Sequence, residues 1–369
     1  MRDLRIAYFA HSLRSDWNNG NAHFLRGLMR ALTALGHDVR VFEPESGWSI
    51  ENLRAEARGE SSIAEFTRMY PDLRIEIYSE EETVEQWRER LRGIDIVILH
   101  EWNPPGLAQR LLNLRDELSY RLLFHDTHHR ASSSPEQIRQ FGLDRFDGIL
   151  AFGAALRTIY RERFGIPRVW VMHEAADTTA FYPQPERSKS LDAVWIGNWG
   201  DDERSAEICE FFLNPAAELA NRARFAIFGV RYPEEGLRAL REANVRYEGY
   251  LPNLDAPSVY SASRLTVHVP RQQYTSAMTG IPTIRVFEAL ACGIPLISAP
   301  WQDTEQLFRS RDFIFARNTA EMISAMRTLL DCPAEATAQA QRGLETVLAR
   351  HTCDHRAWEL TEICEELLA

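Results

Sequence analysis

Short apolar, β-branched runs alternate along the chain with stretches of helical periodicity, which predicts parallel sheets covered by helices on both faces, an α/β protein. In the first half the runs at Leu4 to Phe9, Val39 to Phe42, Leu73 to Ile77, Ile94 to Leu99, Arg121 to Phe124, Gly148 to Ala151 and Val169 to Met172 read as strands. Helices fill the gaps. The first is well defined, because Phe24, Leu25, Leu28, Met29, Leu32 and Leu35 fall on one stripe and Gly36 is a natural terminator. A polar, proline-bearing stretch from Phe181 to Ser190 interrupts the pattern and marks a domain boundary. Beyond it the alternation repeats, with strands at Ala193 to Ile196, Phe225 to Phe228, Val245 to Glu248, Leu265 to Val269, Pro295 to Ser298 and Phe313 to Phe315. The stretch from Ala334 to Leu368 reads as helical throughout, with Trp358, Leu360, Ile363, Leu367 and Leu368 available to pack. Two doubly wound lobes in tandem are expected.

Length and composition fit two ordinary globular lobes: 369 residues, 45% hydrophobic and 26% charged, exceed what one core usually serves and leave little for disorder. No stretch approaches the roughly 18 to 20 apolar residues that span a bilayer, and the chain enters a strand-like run at once, so a cytoplasmic protein is expected. Cys209, Cys292, Cys332, Cys353 and Cys364 are odd in number and form no close pair, which reads as reduced thiols rather than a disulfide framework or a zinc site. A net charge of −11 disfavours general binding to nucleic-acid backbone or anionic membrane, both of which need a broad basic face. Lys189 is the only lysine. Schiff-base chemistry and a P-loop each need a lysine in a fold-defined pocket, whereas Lys189 lies in the polar connector. The loop from His11 to Asn21 lacks Gly-x-Gly-x-x-Gly, so hydride transfer loses support, while Asn18, Asn19 and Gly20 suit a tight turn beside a ligand.

Doubly wound sheets bind ligands outside the carboxyl ends of their strands, which directs attention to the residues just after each run. The most informative segment runs from Thr279 to Ile297. Pro282 in a first turn, Thr279 and Gly280 before it, and Gly293 and Pro295 after it predict a helix of about ten residues. Its N-terminus offers backbone N–H groups and a positive dipole end suited to a diphosphate. Arg285 and Glu288 lie one turn apart on one face. They suit phosphate oxygens and a vicinal diol in an open cleft, or they form a surface ion pair on a capped helix.

The run Phe287-Glu-Ala-Leu-Ala-Cys-Gly-Ile-Pro-Leu-Ile297 resembles the signature helix of retaining GT-B glycosyltransferases of the group 1, family 4 kind, and the Pro-Thr-x-Arg before it resembles the spore-maturation, CgeB-like branch. The resemblance implies two Rossmann-like, doubly wound domains facing a cleft. Residues 1–182 would take the acceptor, 191–350 the nucleotide-sugar donor, and a helix at 351–369 would pack back toward the N-terminal domain. Glu288 is thereby assigned to the nucleotide ribose. Val171 to Pro183 resembles the interdomain hinge, with Asp177 in the acidic position. Tyr247 to Asn253 resembles the loop that contacts the base through Gly249, Tyr250 and Leu251, residues that otherwise form a turn ahead of a helix at Asp255. Arg271 ends a strand, facing phosphate or lying in a solvated loop. In Ile196 to Arg204 the family's usual Arg and Lys are missing, and Arg204 alone stands at nearly the right place. Gly280 stands where family members carry a second Glu, eight positions before the ribose Glu. Thr279, Gly280 and Thr283, around the helix N-terminus, complete the donor site.

Phe124 to His129 follows an apolar strand, at the place where the family carries His-Asp with the His reaching the donor sugar; here these are His125 and Asp126. Glu101, with His100 and Trp102, follows another strand and is a candidate to orient an acceptor hydroxyl. Trp17, Trp48 and Trp102 are candidate sugar platforms, or rim packing. His125, Asp126, His128 and His129 are all metal-ligand types, but their spacing matches no helical His pair and no zinc-hydrolase signature, so no metal is expected. The resulting expectation is transfer of a sugar from a UDP- or dTDP-linked donor to a hydroxyl on a glycan, a protein or a small molecule, with retention and without metal or further cofactor. Two other readings stay open: a sugar-nucleotide epimerase or phosphorylase on the same fold, and a nucleotide-sugar-binding protein with reduced catalysis, suggested by Gly280.

Overall fold

A computed structural model describes residues 3–200 and 203–369; Asp201 and Asp202 of the Ile196 to Arg204 segment lie outside the described residues. The chain forms two compact units, one made of Met1–Glu174 with Cys353–Ala369, the other of Ala175–Thr352. The division falls ahead of the polar Phe181 to Ser190 stretch. Among the described residues no helix is long and apolar enough to cross a membrane.

The seven apolar runs of the first half are the seven strands of the first unit: β1 (Arg5–Phe9), β2 (Asp38–Pro44), β3 (Arg74–Tyr78), β4 (Ile96–His100), β5 (Arg121–Asp126), β6 (Gly148–Ala151) and β7 (Val169–Val171). They lie in the order β3-β2-β1-β4-β5-β6-β7, every neighbouring pair parallel. Helices cover both faces, which is why β4 is buried along its whole length and reads as an unbroken apolar run. The Ala22–Ala34 helix buries Phe24, Leu25, Leu28, Met29 and Leu32 of its predicted stripe, with Leu35 half-buried at the C-cap, and gives way to Gly36 at φ +96°, a conformation open to glycine at little cost.

Against that helix packs the last one, Cys353–Leu368. Arg30 pairs with Asp354 at 3.2 Å, His37 meets the Thr361 hydroxyl at 2.9 Å, and the Cys353 thiol approaches the Phe24 carbonyl at 3.6 Å. The C-terminal region is not one helix, as its pattern suggests, but two, Pro333–Arg350 and Cys353–Leu368. At the break the Ala176 N–H takes the His351 carbonyl at 3.0 Å, a bond that a continuous helix would forbid. Leu360, Ile363 and Leu367 are buried as expected, whereas Trp358 stays half exposed.

The second unit holds β8 (Leu191–Ile196), β9 (Phe225–Phe228), β10 (Val245–Tyr247), β11 (Ser263–His268), β12 (Leu296–Ser298) and β13 (Ile314–Phe315), in the parallel order β10-β9-β8-β11-β12-β13. Its core gathers Trp195, Phe212, Phe225, Ile227, Leu265, Ile297, Met322 and Met326. Lys189 donates to the carbonyls of Ser261 and Ser263 at 2.9 and 2.8 Å, a connector anchor. In each sheet the order reverses beside the first strand, between β1 and β4 and between β8 and β11. Loops leave such a switch point in opposite directions and open a crevice at the carboxyl ends. His100 and Glu101 follow the first switch; Arg204 and Arg271 follow the second.

Candidate functional site

In the second unit the switch point gathers three guanidinium groups. Arg204, just before the helix at Ser205, lies over the Trp195 ring at 5.1 Å and donates to the Asn198 side chain at 2.6 Å. Burial pushes it down to about 9, and repulsion from Arg271 and Arg285 adds to the shift. Like charges this close favour an anion among them. Arg271 pairs with Glu203 and Arg285 with Glu288 at 2.5 Å. Glu288 is fully buried and also accepts from the Tyr260 hydroxyl at 3.4 Å, so it does not line an open cleft in this chain. The reason is tertiary: its helix is buried on nearly every side, Val286, Phe287, Ala289 and Leu290 included.

That helix is Ile284–Ala291, eight residues rather than about ten. Thr283 is its N-cap, with extended backbone at φ −78°, ψ 159°, so Pro282 precedes the cap instead of opening the first turn. The far end stops as read, at Gly293 with φ +62°. Thr279 is half-buried in the preceding loop. After β10, Gly249 takes φ +72°, its carbonyl accepts from the Gly229 N–H at 2.8 Å, and half-buried Tyr250 and Leu251 follow. Beside them the Tyr247 hydroxyl donates to the Gly229 carbonyl at 2.9 Å and the Tyr232 hydroxyl to the Gly197 carbonyl at 2.9 Å. Loop aromatics carry no periodicity, and Tyr232 was not legible in the sequence.

Gly280, standing where the resemblance places a second Glu, has φ +95°, and a Cβ there would come within 2.2 Å of the Thr304 hydroxyl. A side chain there would have to displace the Thr304 hydroxyl as well as adopt a left-handed backbone. Gly280→Glu is expected to cost about 1 to 3 kcal/mol of stability, from left-handed strain plus the clash. An unchanged denaturation midpoint would show that the loop simply yields.

In the first unit β4 and β5 set His100 beside His125, and β1 brings Tyr8, whose hydroxyl lies 2.8 Å from His125 Nδ1. His100 Nε2 lies 3.1 Å from the Thr127 hydroxyl, which also takes the Asn21 amide at 2.9 Å. Tyr8, His100 and His125 are all buried. Burial pushes His125 down to about 3 and His11 down to about 4, so both rings are neutral near pH 7. The Tyr8 phenol is pushed up by burial and then by Glu101, and keeps its proton. His125 Nε2 has no hydrogen-bond partner among the described residues.

Burial raises Glu101 to about 8, with Asp126 adding to the shift, and raises Asp126 to about 6. Glu101 pairs with Arg130, whose guanidinium lies over the Trp102 ring at 4.1 Å. Asp126 accepts from the Tyr160 hydroxyl at 2.5 Å and the His128 N–H at 2.9 Å. Both carboxyl groups thus brace their loops. The tryptophans fall into separate groupings. Trp17 is buried, donates to Glu56 at 2.8 Å and packs edge-on against Trp48 at 4.8 Å, whereas Trp102 stands by Arg130. Among the described residues no three His, Cys, Asp or Glu groups are placed to hold a metal ion.

Residues 18–180 match the family model described as Glycosyltransferase Family 4, and residues 204–362 match the one described as Glycosyl transferase-like. Each covers less than half of the chain; together they support a GT-B glycosyltransferase of the group 1 kind. No curated protein matches the sequence. Among solved structures, Anabaena HepE in complex with UDP and glucose is similar at a TM-score of 0.70 and 12% identity, over 98% of this chain and 100% of that one. Sucrose-phosphate synthase from Thermosynechococcus elongatus gives 0.68 and 16% over 99% of both chains. An alpha-glucosyltransferase in complex with UDP-glucose and DNA containing an abasic site gives 0.71 and 14%, over 99% and 100%. At such identities the likeness shows the fold, which is GT-B, with two Rossmann-like α/β domains.

Proposed function

We propose that this chain transfers a sugar from a nucleoside diphosphate sugar to an acceptor hydroxyl, with retention and without a metal, and that Pro282-Thr-Ile-Arg285 aligns it with the spore-maturation branch of the group 1 enzymes. The observation that carries the reading is the cluster of Arg204, Arg271 and Arg285 beside the N-terminus of the Ile284–Ala291 helix. Three cations and a row of backbone N–H groups suit a departing diphosphate, whose growing charge they would neutralise as the glycosidic bond breaks. Glu288 would turn from Arg285 to the ribose hydroxyls once phosphate takes the guanidinium. Gly249, Tyr250 and Leu251 would meet the base, with Thr279, Gly280 and Thr283 lining the phosphates.

On the first unit His125 is the group to act on the sugar. The Tyr8 hydroxyl and Nδ1 share a 2.8 Å hydrogen bond; in the tautomer we propose the hydroxyl donates, so that the neutral ring would carry its hydrogen on Nε2 and offer it to a sugar oxygen. Glu101 and Asp126 support this surface, and Glu101 is the proposed partner of the acceptor hydroxyl. UDP, present in several of the similar structures, is the nucleotide to try first. The DNA of one of those complexes is not carried over, since the net charge of −11 opposes it.

A thermal-shift comparison of UDP, dTDP, GDP and ADP tests the reading. A nucleotide at 100 times its Kd stabilises by about 2.7 kcal/mol, so UDP or dTDP is expected to raise the melting temperature clearly. No shift with any of the four sinks the proposal. Product analysis with donor alone and with donor plus acceptor then separates transfer from epimerisation. Transfer is further expected to survive EDTA, because arginines and helix N–H groups do the work a cation would otherwise do. Complete loss in EDTA, restored by magnesium or manganese, would overturn that part.

A further inference from the structure

Beside β13 the second unit holds a cavity of about 780 Å³, within the range of about 300 to 1,000 Å³ usual for small-molecule sites. It shares no residue with the proposed donor site. Gln339, in its wall, donates to the Leu296 carbonyl at 2.7 Å, which sets that part of the wall at the amino end of β12; Arg204 and Arg271 instead follow the carboxyl ends of β8 and β11. Phe313 and Phe315 supply apolar surface, their rings edge-on at 5.1 Å, and Phe315 keeps 44% of its surface exposed. The cations come from the loop ahead of β13 and from the Pro333–Arg350 helix. Arg309 is committed, to Asp312 at 3.4 Å and to Glu345 at 3.5 Å. Arg342 Nε donates to the Arg311 carbonyl at 3.1 Å and Arg309 to the Arg342 carbonyl at 2.5 Å, so loop and helix are tied together. Among the described residues no carboxylate pairs with the guanidinium of Arg311 or of Arg342, although both line the cavity. Arg311 also holds φ +74°, a left-handed backbone that strains any side chain and costs glycine little. Such strain collects where a side chain has a task.

We infer that this cavity is a second ligand site, for a phosphorylated sugar, with the phosphate on Arg311 and Arg342, the C–H face of the sugar ring on Phe315 and a sugar hydroxyl donating to Glu335. Two guanidinium groups without counter-charges match a phosphate monoester, which carries about −1.5 to −2 near pH 7 and offers oxygens for paired N–H bonds. A carboxylate would leave one of the two cations unmet, and a neutral sugar would leave both. Free phosphate makes no use of the exposed phenyl ring. Of the two carboxylates in the wall, Asp303 already accepts from the Leu307 and Phe308 N–H groups, each at 2.9 Å. Glu335, in the first turn of its helix, has no such hydrogen bond among the described residues and can take a hydroxyl. The inference stands apart from the donor site proposed above, since no residue serves both.

Calorimetric titration of the full chain with glucose 1-phosphate, glucose 6-phosphate and fructose 6-phosphate, each with and without UDP, tests this. At least one is expected to saturate the chain at millimolar concentration or below, about tenfold or more tighter than glucose or inorganic phosphate, and equally well with UDP present. Arg311→Gly is expected to weaken it about tenfold or more, the scale of one charge-assisted hydrogen bond. The melting temperature should not fall in that variant, because glycine adopts φ +74° without strain. Phe315→Ala is expected to weaken the sugar phosphate and to leave inorganic phosphate unchanged. Should Arg311→Gly lack a cooperative melting transition, Arg311→Gln takes its place. The inference is overturned by no saturable binding of any of the three, by affinity unchanged in the Arg311 variant, or by inorganic phosphate binding as tightly as the sugar phosphates, an adventitious ion only. Competition from UDP also overturns it, because the anion then sits in the donor site. A chain that binds a sugar phosphate as expected but no UDP refutes the donor-site reading alone.

Discussion

His125→Ala is expected to lower the turnover number by about 100-fold or more, the scale of a lost hydrogen-bonding or proton-handling group at a reacting centre, while UDP affinity stays within about threefold of wild type. The ring is fully buried, its Nδ1 is occupied by Tyr8 at 2.8 Å, and its Nε2 has no partner among the described residues. A polar atom left open in a buried place is costly unless a ligand uses it. The proposed nucleotide contacts all belong to the second unit, so they survive the substitution. Because burial holds the imidazole at about 3, its ionisation should leave no mark on the rate between about pH 5 and 8. Steady-state kinetics and calorimetry decide the matter. Unchanged turnover with a large loss of UDP affinity would mean that the nucleotide is held by the first unit.

Glu288→Gln is expected to weaken UDP binding about 10-fold to 100-fold, since two ribose hydroxyls lose a charged acceptor and the amide keeps only part of the acceptor capacity. For a residue at the lip of an open cleft that would be the whole effect. Glu288 is instead fully buried against Arg285 at 2.5 Å, so stability should fall as well, by about 1 to 3 kcal/mol, as Arg285 is left beside Arg204 without its counter-charge. Calorimetry well below the melting transition separates the two losses. Lower stability with unchanged UDP affinity would make the pair structural and send the search for the donor site elsewhere.

Much of this protein was determined by its sequence alone. Each apolar run became a strand; central ones such as β4 and β8 are buried on both faces and so apolar nearly throughout, while outer ones such as β3 and β10 keep polar, exposed positions. The first helix and its Gly36 stop were equally legible, since stripe and terminator are local properties. The stop of the Ile284–Ala291 helix at Gly293 was legible too, whereas its start was not, since Pro282 precedes the Thr283 cap instead of opening the first turn. The tertiary structure decided what those local signals cannot carry. His268 meets Ser298 because β11 and β12 lie in parallel register, Tyr8 reaches His125 across the intervening β4, and Thr283 comes to His268 from a helix N-cap. The break at His351 follows from a backbone bond to Ala176, and the burial of Glu288 from the packing around its helix. Gly280 looked like a missing carboxylate in the sequence. In the fold it is a left-handed residue pressed against Thr304, because φ and close contacts belong to the folded loop and leave no periodic trace in the chain.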